Sequence, residues 1–290
     1  MSATLKKLLV LSLALVLSFS LVAFVGCKDN LTQEEIDEII ANVTSAEADT
    51  VSFDIDVPLS VKVSGGPEAG TMTASVTGSG VMDMVEEEMQ MTMDMAMDVP
   101  DEGEQEISAE IYFVDEWMYA GVDIPGFGDQ WLKMEATEGM WQQQCPLEQQ
   151  LALWEGAVEV KSLGSETVNG VECYVYQIKP DMEALSDMLA QETSGMGMED
   201  FMDFGQFDLA DMFTELSVKE WLAQDSYLPM KMEVKIVMEV SADEFGVTDS
   251  DFSEATIDVE VNMNLYDYNQ PVSIELPPEA LDAEEMPLSY

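Results

Sequence analysis

From Val51 to Val63 every second residue is apolar: Val51, Phe53, Ile55, Val57, Leu59, Val61 and Val63 alternate with Ser, Asp, Pro and Lys. Successive side chains of an extended strand point to opposite faces, so this stretch buries one complete face only as a β-strand. A helix would scatter the same residues around its axis. The period of two recurs along the chain. After a turn at Gly65-Gly66-Pro67, Met72 to Val85 reads as a second strand. In the third, Met89, Met91, Met93, Met95 and Met97 alternate with Gln, Thr, Asp and Ala. Asp101 to Gly103 turns the chain, and Ile107, Ala109, Ile111 and Phe113 continue the meander. Shorter strands over Trp117–Val122 and Gln130–Glu135 flank a Pro-Gly loop. Val158–Leu163 and Val168–Lys179 read as strands around Asn169-Gly170. Leu216–Leu222, Leu228–Val240 and Ala255–Tyr266 bring the expected total to about ten or eleven.

Helical signals are fewer. Thr32 and Glu35 form a capping box, with Ile36, Ile39, Ile40 and Val43 on one face behind it. Pro146 to Trp154 reads as a second short helix. Pro180 opens a third with Met182, Leu185, Met188 and Leu189 on one side, broken by Ser194-Gly195-Met196-Gly197-Met198. No internal repeat is visible. The pattern is that of one α+β domain dominated by an antiparallel meander.

At the N-terminus, Lys6 and Lys7 precede a weakly polar run from Leu8 to Val25, the order of a secretory signal. A retained membrane-spanning anchor is the alternative, since the run approaches spanning length. Gly26-Cys27 ends it, and Lys28, Asp29 and Asn30 follow at once. This resembles the lipobox of bacterial lipoproteins, in which a diacylglycerol alkylates the cysteine thiol and the cysteine becomes the mature N-terminus. Such boxes usually carry Leu three residues before the cysteine, where this chain has Phe24. The division that follows is a signal over 1–26, a lipidated Cys27 with a short tether over 27–31, and one β-rich domain over 32–290. Two acyl chains anchor stably where one would be reversible. The expected location is the outer, extracytoplasmic face of a cell membrane.

Composition sets the chemistry of the body. Ten basic residues, all lysine, face 59 acids in 290 residues, and setting aside the first 26 takes the formal charge from −49 to −51. Phosphates need basic contacts, so nucleic acid is excluded as a partner. Anionic membrane surfaces repel such a body, which makes a covalent lipid a sensible tether. Disorder is excluded because 47% of the chain is hydrophobic and falls in periodic runs. With no His there is no Ser-His-Asp or Cys-His machinery and no imidazole metal ligand. With no Arg there is no bidentate clamp for phosphate or carboxylate. No Walker loop, dinucleotide fingerprint or EF-hand loop is present. Paired carboxylates remain conceivable as acid and base, but no pattern selects two of them. No enzyme, cofactor or metal is expected, and the acidic Asp243–Glu254 stretch, including Asp249 and Asp251, reads as a solvated turn.

Three stretches carry a resemblance: "VNGVECYVYQI" before the helical region, "DSYLPMKMEVKI" with Leu-Pro entering a strand, and the closing "YDYNQPVSIELPPEA". Together with a helix after a lipidated cysteine and long meandering strands, they resemble the LolA/LolB-type lipoprotein-carrier superfamily and its LppX/LprG-type lipoproteins. The resemblance implies a half-barrel, a curved and incompletely closed antiparallel sheet whose concave face is partly covered by helices and holds lipid acyl chains. Some carriers place an Arg inside that cavity, and this chain has none.

The methionine stripe has three readings. Burying each side chain is worth roughly 1.5–3 kcal/mol, so something must cover it. Helices of the protein's own core would do so. Alternatively Met89, Met91, Met93, Met95 and Met97, joined by Met82, Met84, Met230, Met232 and Met238, form a pliable wall for acyl chains, since unbranched Met adapts to irregular apolar shapes. Copper(I) capture by thioethers is the third. In the segment dense in Phe and Met from Phe201 to Phe213, Phe201, Phe204, Phe207 and Phe213 form either a lid or a tucked core helix. If Cys27 carries lipid, Cys145 and Cys173 are an even pair for a disulfide, against two buried thiols. The expectation is a monomeric, non-catalytic lipoprotein that binds a lipid or other apolar small molecule. The competing expectation is an acidic structural or interaction lipoprotein with a filled core.

Overall fold

The computed structural model describes residues 30–66, 69–99, 103–124, 128–136, 157–180, 212–241 and 253–285, together with Trp141 and Trp154. Helix α1 (Gln33–Thr44) precedes eleven strands and a two-residue one. These are β1 (Thr50–Ser64), β2 (Gly70–Asp83), β3 (Glu88–Val99), β4 (Gly103–Val114), β5 (Trp117–Ile124), β6 (Gly128–Glu135), β7 (Ala157–Val168), β8 (Val171–Pro180), β9 (Phe213–Ala223), β10 (Pro229–Ser241), β11 (Glu254–Tyr266) and β12 (Glu284–Glu285). They form one sheet in the order β12-β6-β5-β4-β3-β2-β1-β11-β10-β9-β8-β7. Two antiparallel meanders, β1–β6 and β7–β11, are zipped together where β1 pairs with β11. Only β12 is parallel to its neighbour, β6.

Local chemistry sets the turns. Asn169 (φ 50°) and Gly170 (φ 86°) close the β7–β8 hairpin with two consecutive left-handed residues, the geometry that matches the twist of paired strands. Thr32 Oγ1 accepts a hydrogen bond from the Glu35 N–H while the Glu35 carboxylate accepts one from the Thr32 N–H, so both sides of the expected capping box are made.

The alternation read from the sequence becomes one continuous apolar face. Register places Val61 opposite Ile257 of β11, Ile257 opposite Met238 of β10, and Ile236 opposite Leu216 of β9. In the other direction Val51 meets Met82, Met82 meets Met89, and Met89 meets Phe113. Helix α1 lies over part of this face. Leu31 donates to the Val160 carbonyl of β7 at 2.8 Å, and the chain resumes in β1, five strands away. At about 4.8 Å per strand that is roughly 24 Å, and twelve helical residues cover about 18 Å of it. Ile36, Ile39 and Val43 are buried in the same cluster as the strand residues beneath.

Two glycines of β2 let this face pack. A Cβ on Gly80 would lie 2.5 Å from Phe53 Cζ and 2.6 Å from the Gln90 carbonyl oxygen, and one on Gly78 would lie 3.0 Å from Ile55 Cγ2. The rings and branches of β1 therefore lean onto bare backbone in β2.

The half-barrel with helices on its concave side is not what forms. The sheet is open and not strongly curled, with β12 at one edge and β7 at the other. Among the described residues α1 is the one α-helix assigned as an element. Coiling a sheet requires bulges or glycine kinks repeated across it. Here register breaks occur only in the β7–β8 and β9–β10 pairs, while β1 to β6 run without one. The helices expected over Pro146–Trp154 and after Pro180 fall outside the described residues except for Trp154.

Gly80→Ala is expected to lower stability by about 1–3 kcal/mol, because the methyl collides with both the Phe53 ring and fixed backbone. Urea unfolding of the purified variant measures it, and an unchanged midpoint would show that Phe53 does not rest on Gly80.

Candidate functional site

The apolar face is covered unevenly. Over β1 and β9–β11 it is dry: Val57, Val61, Val218, Ile236, Met238, Ile257, Val259 and Leu265 are all buried. Over β3–β6 it is not. Met91, Met93, Met95 and Met97 of β3, Ile107, Ala109 and Ile111 of β4, Met118, Ala120 and Val122 of β5, and Leu132 and Met134 of β6 are each only half-buried. Register makes these one contiguous patch: Met91 faces Ile111, Ile111 faces Ala120, and Ala120 faces Leu132. The patch ends on a closed row in which Met82, Met89 and Phe113 are buried and the Trp141 ring lies 5.4 Å from that of Phe113.

The sequence-predicted wall residues therefore separate into groups. Met91, Met93, Met95 and Met97 lie in the half-buried patch, and Met84 is half-buried in the turn after β2 and packs on the core. Met82, Met89, Met232 and Met238 lie on the same face but are buried. Met230 sits at a register break in β10 and packs with Cys173, Val175, Trp221 and Ala223 in a separate cluster on the opposite face. Phe213 opens β9 and packs on the main core. Phe201, Phe204, Phe207, Cys27 and Cys145 fall outside the described residues.

The expected disulfide is not formed. Cys173 is a free, buried thiol that donates to the Val171 carbonyl at 3.4 Å. Its place on an inner strand of the sheet, within the cluster around Trp221, spends the side chain on packing, as buried free cysteines commonly do. Burial raises its pKa, so it is also a poor nucleophile.

Glu220 escaped the sequence reading. It lies on the apolar face, between Val218 and Leu222 in β9, opposite Tyr176 of β8 and Met232 of β10. It is fully buried. Trp154 Nε1 donates to its Oε2 at 2.5 Å, and the Trp154 ring stands edge-on to Tyr176 at 5.2 Å. Its Oε1 has no hydrogen-bond partner. Burial pushes the carboxyl up to about 8, against the lowering effect of the Trp154 hydrogen bond, so at neutral pH it is a protonated acid in an apolar surface. The signal was present in the sequence, where Leu216, Val218, Glu220 and Leu222 put a carboxyl at an inward position of the alternation. On the outer face Gln177, flanked across the ladder by Lys161 and Lys219, is also buried, and both polar atoms of its amide lack partners.

Among the described residues no group of three or more His, Cys, Asp or Glu could hold a metal ion. Among the same residues no helix is long and apolar enough to cross a membrane.

Residues 35–285 match the model of a protein family described as a family of unknown function, DUF6612. The chain belongs to that family. No curated protein matches this DUF6612 chain. Among solved structures it is similar to the lipoprotein LppX of Mycobacterium tuberculosis, at 10% identity and a TM-score of 0.43, with 84% of this chain and 100% of that one covered. It is also similar to LprF of Mycobacterium bovis, at 12% identity and a TM-score of 0.39, with 84% and 98% covered.

The buried acid gives a pH signature with a fixed sign. A carboxyl held near 8 when folded and near 4.5 when unfolded stabilises fully below pH 4.5, and the contribution is lost as pH rises through 8. Relative to Glu220→Gln, the native chain is expected to lose of the order of 4 kcal/mol between pH 5 and pH 9. Paired urea titrations at the two pH values measure the difference, and a pH-independent one would mean that Glu220 is ionised or solvated.

Proposed function

We propose that this chain is a lipoprotein, held by lipid on Cys27 at the outer face of a membrane, that binds the hydrocarbon of a lipid or similar apolar molecule without catalysing a reaction. The occupied surface is the half-buried patch of β3–β6, and the protein acts as a monomer whose residues 32–290 form one domain after loss of a 1–26 signal. The observation that carries the reading is the contrast across one sheet face, dry over β9–β11 and half-open over β3–β6.

A contiguous apolar surface left partly exposed on a soluble body often marks a place where something binds. Methionine suits a surface that must match chains of different shape, because its unbranched side chain rearranges at little cost. Each methylene that an acyl chain moves from water onto such a wall is worth about 0.8 kcal/mol, so one chain gains enough from the patch to stay without a charged contact. The chain has no Arg with which to grip a phosphate headgroup, and ligand selection by hydrocarbon alone is consistent with that.

Organic extraction of protein purified from membranes, followed by mass spectrometry, is expected to release lipid in near-stoichiometric amount. Met93→Asp places a charge in the middle of the patch and is expected to lower the recovered lipid at least tenfold while leaving the dry core intact. Lipid-free native protein, or equal recovery from the variant, would leave the acidic interaction lipoprotein as the better reading.

A further inference from the structure

We propose that the β7 edge of the sheet, with the lysine-bearing outer surface of β7–β10 beside it, is the side of the molecule that lies against the lipid bilayer. This rests on the reading of Cys27 as the lipid attachment.

The first observation is the length and fixing of the tether. Asn30 bridges to Lys161 of β7, and the Leu31 N–H donates to the Val160 carbonyl at 2.8 Å. Thr32 then caps α1. The chain is therefore fastened to the edge strand three peptide steps after Cys27, which span at most about 11 Å. A lipid on Cys27 keeps Asn30, and the part of β7 it touches, within that distance of the headgroups. The opposite edge at β12 is eleven strand spacings away, about 50 Å across the sheet.

The second observation is charge. Strands β7–β10 carry five lysines, Lys161, Lys179, Lys219, Lys231 and Lys235, against seven glutamates, one of them the buried Glu220. Strands β1–β6 carry two lysines against twelve carboxylates. Register sets the five lysines on the face opposite the apolar one: Lys161 pairs across to Gln177, Gln177 to Lys219, and Lys231 to Trp221. Ion pairs such as Lys161–Glu159 (3.4 Å) and Lys235–Glu215 (3.2 Å) leave this surface nearly neutral. A negatively charged leaflet repels the acidic β1–β6 half over about one Debye length and tolerates this one. Charge and tether thus choose the same side.

The third is a single apolar residue. The register break at Ala157/Glu159 leaves Val158 out of the ladder and 57% exposed, two residues from the carbonyl that fixes Leu31. Among the described residues the other exposed large hydrophobics, Val85 at 65% and Leu281 at 67%, lie in the β2–β3 turn and beside β6, away from the tether.

These three positions make the test. Val158→Cys, Val85→Cys and Leu281→Cys, each with Cys145 and Cys173 replaced by Ala, carry a fluorophore on acylated protein. The protein is reconstituted in vesicles of three parts phosphatidylcholine to one part phosphatidylglycerol with bromine-tagged acyl chains. Quenching is expected to reduce the signal at 158 at least twofold and to leave 85 and 281 unchanged. Slowed hydrogen exchange of β7 amides on vesicles, in the unsubstituted protein, gives the same readout without labels. Unquenched 158 together with unslowed β7 exchange, or quenching at 281 equal to that at 158, overturns the orientation alone. An N-terminal peptide whose mass shows an unmodified Cys27 overturns the anchor reading and this proposal with it.

Discussion

The structure depends on covering one apolar face that is far wider than α1, the one α-helix among the described residues. Twelve strands at about 4.8 Å spacing make a surface roughly 50 Å across. Helix α1 is about 18 Å long and, with side chains, about 10 Å thick. Its length and cap fit the crossing between β7 and β1, and β9–β11 and β1 along that crossing are dry. Trp141 and Trp154 add two more fixed points, one against Phe113 and one against Tyr176. The β3–β6 part of the face is only partly withdrawn from water.

Methionine is frequent where this face is only partly buried. A fully enclosed core favours side chains with few rotamers, and the closed half of this face is largely Val, Ile and Leu. The half-open part carries Met91, Met93, Met95, Met97, Met118 and Met134, whose unbranched side chains adapt to irregular apolar surroundings. Glu220 fits the same division. It is tolerated in the dry half because protonation removes its charge and Trp154 satisfies one of its oxygens.

Much of this was legible before any coordinates. Period-two alternation located β1, β3, β10 and β11 nearly to the residue, Asn169-Gly170 marked its hairpin, and Thr32–Glu35 marked the start of α1, because each signal is local. Curvature is not local. The alternation of Val51–Val63 is the same in a flat sheet as in a barrel, and the half-barrel came from a family likeness that carries no register information. The Cys145–Cys173 pairing was inferred from an even count, whereas Cys173 is a free thiol packed in the cluster around Trp221. Met230 looked like its neighbours Met232 and Met238, and one register break in β10 sent it to the other face. Glu220 was overlooked because a carboxyl inside an apolar alternation looks like noise until a tryptophan is found on it.

In the proposed function, hydrocarbon settles on the open methionine patch and not in the closed core. Methionine methyl signals in a protein labelled with carbon-13 at those methyls, titrated with a fatty acid bearing a nitroxide on its chain, address it directly. Selective broadening of Met91, Met93 and Met95 with Met232, Met238 and Met263 left sharp would bear it out. Equal behaviour of the two groups, broadened together or unchanged together, would contradict it.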